Sequence, residues 1–364
     1  MPRSKPDEMR SGYTTGTCAA AAARAAVLTL LHGVAPHEVT IDLPIGRAAT
    51  LRVQSWTVED GFARCCVVKD AGDDPDVTHG AEICARAEWT AEDGIVAIEG
   101  GRGVGVVTRP GLGLEIGEAA INPVPRRMIA AAVRGALDSV KERRGVQVVV
   151  EVPDGENLAK RTLNARLGIV GGISILGTTG VVTPYSTSAY KACIAQAIDV
   201  ARASGYDHLV LTTGGRSERF AQRFVELPEV CFVQMADFAG FALQQCARKG
   251  ARKVTICAMI GKMSKLAAGH LQTHVSSSRV EPAFLERVAV ACGADQSVAA
   301  ALRAANTARH AGELAQSAGL DCIFDEVSRL ACGTCRGHVA GALAIECILT
   351  DFDGNILGRA AVDG

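Results

Sequence analysis

The residues between positions 69 and 80 bring four carboxylates, a lysine and a histidine into one short segment. The segment follows the apolar run 65–68 and contains glycine and proline, which favour a turn. Carboxylates this close repel one another unless water, a cation or a ligand balances their charge. The composition therefore fits either a solvated turn or a site that acts on a charged ligand, and the pattern alone leaves both interpretations open.

Three glycine-rich segments, 177–180, 212–218 and 261–265, each follow an apolar run typical of a strand. Ligands of an open parallel sheet bind beyond the carboxyl ends of its strands, where helix-start N–H groups also bind anions. Glu218 and Asp237 could accept hydrogen bonds from a ribose diol. The pattern predicts a nucleoside-type ligand, although tight turns and plain helix caps would use the same residues. The candidate ligand-binding residues are Gly177, Thr178, Thr212, Thr213, Gly214, Gly215, Ser217, Glu218, Asp237, Gly261 and Lys262.

Two further segments have residues suited to binding anions. Residues 12–18 place hydroxyl groups before an alanine-rich helix, where they form an anion cradle or simply cap the helix. Residues 99–110 form a glycine-rich loop with Arg102 and Arg109. These arginines could pair with carboxylates of a substrate or remain solvated loop charges.

Near-matches to other motifs fail on their spacing. Residues 261–263 lack the first glycine and the terminal Ser or Thr of a phosphate-binding P-loop. Cys332 and Cys335 form a single CxxC pair, for which a zinc site would need two more ligands. We interpret this pair as a glycine turn carrying two thiols, and we predict no metal site.

The composition indicates a two-domain cytoplasmic protein. The chain has 364 residues, 48% of them hydrophobic, and its net charge is −1. We identify no basic patch of the kind that binds nucleic acid, no secretory signal and no membrane span. Thirteen cysteines, scattered through apolar runs, favour reduced thiols over a disulfide framework. The apolar composition is also compatible with a homodimer.

Two patterns of secondary structure divide the chain near residue 153. The first half mixes helices with a larger number of strands, and the second half alternates strands with helices as in a doubly wound parallel sheet. Predicted strands cover 38–43, 48–54, 62–68, 82–90, 95–98, 146–150, 169–176, 209–211, 230–235 and 253–260, with a hairpin turn at 92–94. Predicted helices cover 13–32, a segment after Asn122, 188–204 and 238–250. We therefore expect an α+β domain over 1–152 and an α/β domain with a mainly parallel sheet over 153–364.

Taken together, the motifs resemble those of the cobalt-precorrin-5B C1-methyltransferases of corrin ring synthesis, the CbiD family. The resemblance extends from about residue 11 to about residue 350. The segments that carry it are 12–18, 69–80, 100–110, 164–180, 212–218 and 261–264. It implies that the first domain is similar to the second domain of ribosomal protein S5 and that the second domain is α/β. We hypothesise that S-adenosylmethionine binds at the sheet ends of the α/β domain and that the first domain is the substrate side.

The implied reaction transfers a methyl group from S-adenosylmethionine to ring carbon C1 of a precorrin macrocycle in cobalamin biosynthesis. Precorrins carry acetate and propionate arms, which call for backbone N–H groups and for arginines such as Arg102, Arg109, Arg126 and Arg127. The expected substrate-binding residues are Tyr13, Thr14, Thr15, Thr17, Lys69, Asp70, Arg102 and Arg109. For removal of a proton from the macrocycle we expect His79, Asp74 and Asp76.

Two other functions compete with this interpretation. A non-catalytic corrinoid carrier would bind the macrocycle without a methyl donor. A small-molecule kinase would also use an S5-like domain and glycine loops, but the chain has no complete phosphate-binding motif.

Overall fold

The computed structural model describes residues 9–59, 61–275, 277–278 and 281–363. The chain forms two compact units, Met1–Ser186 and Thr187–Gly364. The division lies after residue 186 rather than after residue 152. Residues 153–186 belong to the first unit because their short strands pair with residues 103–107 of that unit.

The first unit contains short strands, two long helices and one larger sheet. Its elements are β1 (Gly12–Tyr13), α1 (Thr15–His32), β2 (Glu38–Asp42), β3 (Ala48–Arg52), β4 (Ser55–Glu59), β5 (Phe62–Val68), β6 (Glu82–Thr90), β7 (Val96–Gly100), β8 (Gly103–Val104), β9 (Val106–Val107), α2 (Pro123–Ser139), β10 (Gly145–Glu151), α3 (Gly155–Ala159), β11 (Ile169–Val170), β12 (Gly172–Ile173) and β13 (Val181–Val182).

The larger sheet of this unit has the strand order β4-β5-β6-β10-β7. Strand β10 lies between β6 and β7, antiparallel to the first and parallel to the second. The hairpin predicted at 92–94 is therefore wrong. Helix α1 packs on β5 and β6 and against α2. Its alanines from 19 to 23 are fully buried, because small side chains let the helix lie close to the sheet.

Two of the cysteines form a disulfide across β5 and β6. Cys66 and Cys84 are directly opposite in the antiparallel register, with Cα atoms 4.0 Å apart. The prediction of reduced thiols is therefore wrong for this pair. The other described cysteines form no disulfide.

The second unit is built around one five-stranded sheet. Its elements are α4 (Thr187–Ala203), β14 (His208–Thr212), α5 (Gly215–Ala221), β15 (Phe232–Gln234), α6 (Ala239–Arg248), β16 (Lys253–Met259), α7 (Ile260–Ala267), α8 (Pro282–Ala291), α9 (Gln296–Ala304), α10 (Ala308–Ser317), α11 (Cys322–His338), β17 (Ala344–Thr350) and β18 (Ile356–Val362).

This sheet is mixed and has the order β15-β14-β16-β17-β18. The first four strands are parallel, and β18 runs antiparallel to β17. The expected strand 169–176 does not join it, since those residues belong to the first unit. Residues 261–265 lie in α7 rather than in a loop. Among the described residues, no helix has both the length and the apolar character needed to cross a membrane.

Candidate functional site

The acidic loop after β5 is organised around a buried lysine. The Lys69 side chain is 1% exposed, and its Nζ donates to Asp76 Oδ2 at 2.7 Å. Asp76 Oδ1 accepts from the backbone N and the Oγ1 of Thr78. Burial raises the pKa of Asp76, but the charge of Lys69 and these hydrogen bonds outweigh it and leave the pKa below its ordinary value. The ion pair of Lys69 and Asp76 therefore stabilises the loop and fixes the position of both side chains.

Asp70 connects this loop to the segment before α1. The guanidinium of Arg10 donates two hydrogen bonds to its carboxylate, and Gly72 N donates a third at 2.9 Å. These bonds, led by that from Arg10, lower the pKa of Asp70 to about 2. The carbonyl oxygen of Asp70 accepts from Tyr13 N at 2.7 Å. Asp70 and Tyr13, both expected to bind substrate, are thus brought together.

His79 has a geometry that opposes the expected role of general base. Its Nδ1 accepts a hydrogen bond from Ala71 N at 3.1 Å, and its side chain is 53% exposed. In the neutral ring the proton then sits on Nε2, which acts as a donor and has no lone pair for a second proton. Asp74 is half-buried, and its Oδ1 accepts from Tyr185 N at 2.9 Å.

The hydroxyl groups at the start of α1 are used within the chain. Thr14 Oγ1 accepts from Thr17 N, and Thr17 Oγ1 donates to the carbonyl oxygen of Gly180 at 2.7 Å. Thr15 Oγ1 accepts from Leu176 N at 2.9 Å. All three threonines are buried. Thr14 is thus the helix cap, whereas the hydroxyls of Thr15 and Thr17 bind the backbone of residues 176 and 180; contact of these threonines with a substrate stays a prediction.

Gly177 and Thr178 lie in the first unit and not at the edge of the parallel sheet. A Cβ on Gly177 would stand 2.4 Å from Thr14 Oγ1, so only glycine allows this close approach. Thr178 is exposed. The expectation that these two residues lie with the candidates at 212–262 is therefore wrong, because residues 169–182 pair with strands of the first unit.

The expected substrate arginines differ in their surroundings. Arg126 donates to the carbonyl oxygens of residues 98, 119 and 121, so its guanidinium is occupied by hydrogen bonds to the backbone. Arg102 is exposed, and Arg109 is half-buried with its alkyl chain against Gly168. Neither Arg102 nor Arg109 forms an ion pair within the part of the chain that the structure describes. These two guanidinium groups are available to carboxylates of a ligand.

In the second unit the predicted residues meet at the carboxyl edge of β15, β14 and β16. Thr212 ends β14, and its buried Oγ1 has no hydrogen-bond partner among the described residues. Gly214 has φ +157°, and the space that a Cβ would occupy there is open. Ser217 Oγ accepts from Thr213 N and donates to the carbonyl oxygen of Gly214, which fixes the turn into α5. The other residues of the turn, Gly215 and the buried Glu218, lie in the first turn of α5.

Asp237 and Lys262 form an ion pair at this edge. Asp237 Oδ1 accepts from Lys262 Nζ and from Thr273 Oγ1, the latter at 2.9 Å. Burial raises the pKa of Asp237, but these hydrogen bonds prevail and lower it. Asp237 Oδ2 accepts no hydrogen bond from the described residues. The ionised carboxylate of Asp237 and the open turn at Gly214 therefore lie at the same sheet edge. Gly261 lies beside Lys262 in α7.

Two residues of this cluster are not among the candidate ligand-binding residues, although Lys265 lies within the predicted segment 261–265. Lys265, which is buried, and Lys262 both donate to the carbonyl oxygen of Thr273. Thr273 lies beyond α7 in a segment without a sequence pattern, so no signal indicated it. Cys332 and Cys335 are buried inside α11, so the expected glycine turn is wrong. Within the described ranges, no three His, Cys, Asp or Glu side chains are placed to hold a metal ion.

Comparison with known proteins identifies the family. Residues 2–184 match the family model described as CbiD, and residues 272–361 match that described as CbiD, C-terminal domain. A cobalt-precorrin-5B C(1)-methyltransferase of Geobacillus sp. (strain WCH70) is 48% identical over 353 residues, 97% of this chain and 96% of the relative. The one from Priestia megaterium is 46% identical over 361 residues, 99% of this chain and 98% of the relative. The chain belongs to the CbiD family.

A crystal structure of a cobalamin biosynthesis protein (cbiD) from Archaeoglobus fulgidus is also similar. It has 30% sequence identity and a TM-score of 0.40, and the match covers 73% of this chain and 82% of that one. The family expected from the motifs is confirmed by the match over residues 2–184 and by the full-length relatives. The first CbiD match ends close to the end of the first unit.

Proposed function

We propose that this chain transfers a methyl group from S-adenosylmethionine to ring carbon C1 of a (cobalt-)precorrin-5 intermediate in cobalamin biosynthesis. The observation that carries the proposal is full-length similarity to relatives named for this reaction, at 46–48% identity. Any cobalt belongs to the substrate.

The proposed place for the methyl donor is the carboxyl edge of β15, β14 and β16. The edge fits a nucleoside-type ligand because the space over Gly214 is open and the Thr212 hydroxyl lacks a partner within the described residues. Asp237 offers an ionised oxygen to a ribose diol. Lys262 holds that carboxylate in place. When bound, S-adenosylmethionine supplies an electrophilic methyl group on a sulfonium, so catalysis depends chiefly on alignment.

The first unit is the proposed substrate side. Precorrin arms are carboxylates, and Arg102 and Arg109 are cations without an ion-pair partner in the described chain. The His79 side chain is 53% exposed, and because its Nδ1 accepts from Ala71 N, its Nε2–H is left to donate to a further carboxylate. Its geometry supports a binding role better than removal of a proton. We also propose that this unit has the S5-like fold, which the helices α1 and α2 on one mixed sheet support.

For proton removal we propose Asp74. Asp76 is paired with Lys69 and Asp70 with Arg10, and both have a lowered pKa, which makes them weak bases. Asp74 has no cation partner among the described residues, and its Oδ1 is positioned by Tyr185 N. A carboxylate held in this way can accept a proton from the macrocycle.

Turnover of two variants distinguishes these roles. Asp74→Asn should lower kcat by roughly 10²-fold or more, the usual contribution of a general base. His79→Ala should mainly raise KM, since it removes a donor to a substrate arm. Asp93→Asn, in the loop between β6 and β7, serves as the control carboxylate. A loss of kcat in His79→Ala with normal kcat in Asp74→Asn would exchange the assignments.

Calorimetry tests the donor class separately from the chemistry. We expect the full chain to bind S-adenosylmethionine and not ATP. Binding of the macrocycle without any binding of the donor, even when both are present, would instead support a corrinoid carrier. Binding of ATP would support a small-molecule kinase.

A further inference from the structure

Two cysteines outside the proposed reaction meet at the surface of the second unit. Cys292 follows α8 as its C-cap residue, and Cys322 is the first residue of α11. The Cys322 Sγ donates to the carbonyl oxygen of Cys292 at 3.5 Å, so the two cysteines are in direct contact. We propose that Cys292 and Cys322 are a thiol–disulfide modification site that glutathione disulfide oxidises to an intramolecular disulfide.

The contact is set by tertiary structure. The two cysteines are 30 residues apart, with α9 and α10 between them. Helices α8 and α11 pack against each other, and Leu285, Val288 and Phe324 near the two cysteines are buried. The packing brings the end of α8 to the start of α11 and so places Cys322 Sγ against Cys292. Formation of the bond would close this segment into a loop.

The two thiols differ in accessibility and in local electrostatics. Cys322 is exposed at the start of a helix of 17 residues, so an external disulfide can reach its sulfur. Cys292 is only partly exposed, and burial together with the thiol of Cys322 raises its pKa to about 11. Cys322 is therefore the thiol that attacks an external disulfide, and Cys292 is the one that resolves the product.

The step balances with glutathione disulfide as the oxidant. The Cys322 thiolate attacks one sulfur of glutathione disulfide, which breaks that S–S bond and releases one glutathione thiolate. Cys292 passes its proton to a glutathione thiolate or to solvent, and its sulfur attacks Cys322 Sγ. The Cys292–Cys322 bond forms as the second glutathione leaves. Two protein thiols are oxidised, and one glutathione disulfide is reduced to two thiols.

The other cysteines of this unit provide contrasts. Cys332, Cys335 and Cys347 are buried and out of reach of a solution oxidant. Cys193 is exposed, but within the described residues no cysteine forms a hydrogen bond with it. Cys193 is therefore a matched control that can take up glutathione and cannot resolve it.

The test treats the reduced full chain with glutathione disulfide and maps its peptides without reduction. We expect a peptide pair joined through Cys292 and Cys322, lighter by about 2 Da than the two thiol peptides together. Cys292→Ser should instead retain glutathione on Cys322, a gain of about 305 Da on that peptide. Cys193→Ser should leave the linked pair unchanged.

A second probe measures the proximity of the thiols without oxidation. Phenylarsine oxide bridges two neighbouring thiols, so each of the variants Cys292→Ser and Cys322→Ser should weaken its binding at least about tenfold relative to Cys193→Ser. Far-UV circular dichroism confirms that the variants are folded. The proposal is overturned if wild-type protein ends with glutathione retained on Cys322, if neither cysteine reacts, or if the folded serine variants bind the arsenical as tightly as the control.

Discussion

Removing the carboxylate of Asp76 should lower the free energy of unfolding more than removing the ammonium of its partner Lys69. The ammonium of Lys69 is buried, and Asp76 is its carboxylate acceptor at 2.7 Å. Asp76→Ala leaves that charge uncompensated, which costs roughly 3–5 kcal/mol for a buried pair. Because 26% of the Asp76 side chain is exposed, water reaches the site, and we expect about 3 kcal/mol. Lys69→Met removes the charge and keeps the packing of the alkyl chain, so its cost should be about 1 kcal/mol.

The assay follows unfolding of the first unit by its tryptophans. The chain has 2 tryptophans, Trp56 and Trp89, and both lie in this unit. Urea unfolding monitored by fluorescence gives the free energy of unfolding of each variant. The double variant Lys69→Met/Asp76→Ala should resemble Lys69→Met, because no buried charge remains. Glu142→Ala, which removes a surface pair with Arg144, is the control and should change little.

The pH dependence has a defined sign. The folded protein lowers the pKa of Asp76, so this carboxyl stabilises the fold fully above its unfolded pKa of about 3.9. That stabilisation is lost as the pH falls through the lower folded value. The difference between wild type and Asp76→Ala should therefore shrink below about pH 4. The reasoning is refuted if Lys69→Met is as damaging as Asp76→Ala at neutral pH.

Three further predictions concern the cap of α1, a glycine contact and the proposed donor site. Thr14→Ala should lower the free energy of unfolding by about 1 kcal/mol in the fluorescence assay, and Thr14→Ser should retain most of it, because the serine hydroxyl still caps Thr17 N. Gly177→Ala should cost about 1–3 kcal/mol more than Gly171→Ala: both have positive φ, but only at 177 does the new Cβ meet Thr14. Asp237→Asn should weaken S-adenosylmethionine binding roughly tenfold or more in calorimetry. The control Asp207→Asn, before the amino end of β14, should bind it as the wild type does. If Asp237→Asn and the wild type bind S-adenosylmethionine equally well, Asp237 is not part of the donor site.

Local patterns predicted the elements well where each one has its own signal. The helix predicted over 13–32 corresponds to α1, Thr15–His32, because alanine favours a helix and Gly33 ends it in the left-handed conformation. Local sequence patterns do not predict which strands pair with each other. Nothing near residues 92–94 shows that β10, from a distant part of the chain, separates β6 from β7. Residues 169–176 are apolar like a strand of the second sheet, but their partners lie near residue 105.

The candidate site shows the same division. The sequence placed Thr212, Asp237 and Lys262 at one sheet edge, because parallel strands end together and the order of the elements was predicted. It could not show that Lys69 is buried, since an acidic neighbourhood suggests a solvated side chain. The hydrogen bond from Ala71 N to His79 likewise depends on the folded loop, and it changes the chemistry expected of the ring.

The most direct test of the proposed reaction follows the methyl group itself. The full chain is incubated with a precorrin-5 intermediate and S-adenosylmethionine carrying ¹³C in its methyl group, and the macrocycle is then examined by ¹³C NMR. We predict one new labelled methyl signal, correlated with ring carbon C1, that is lost or strongly reduced with Asp237→Asn at limiting donor. A macrocycle that binds the protein and remains unlabelled would contradict the methyltransferase and leave a carrier in its place.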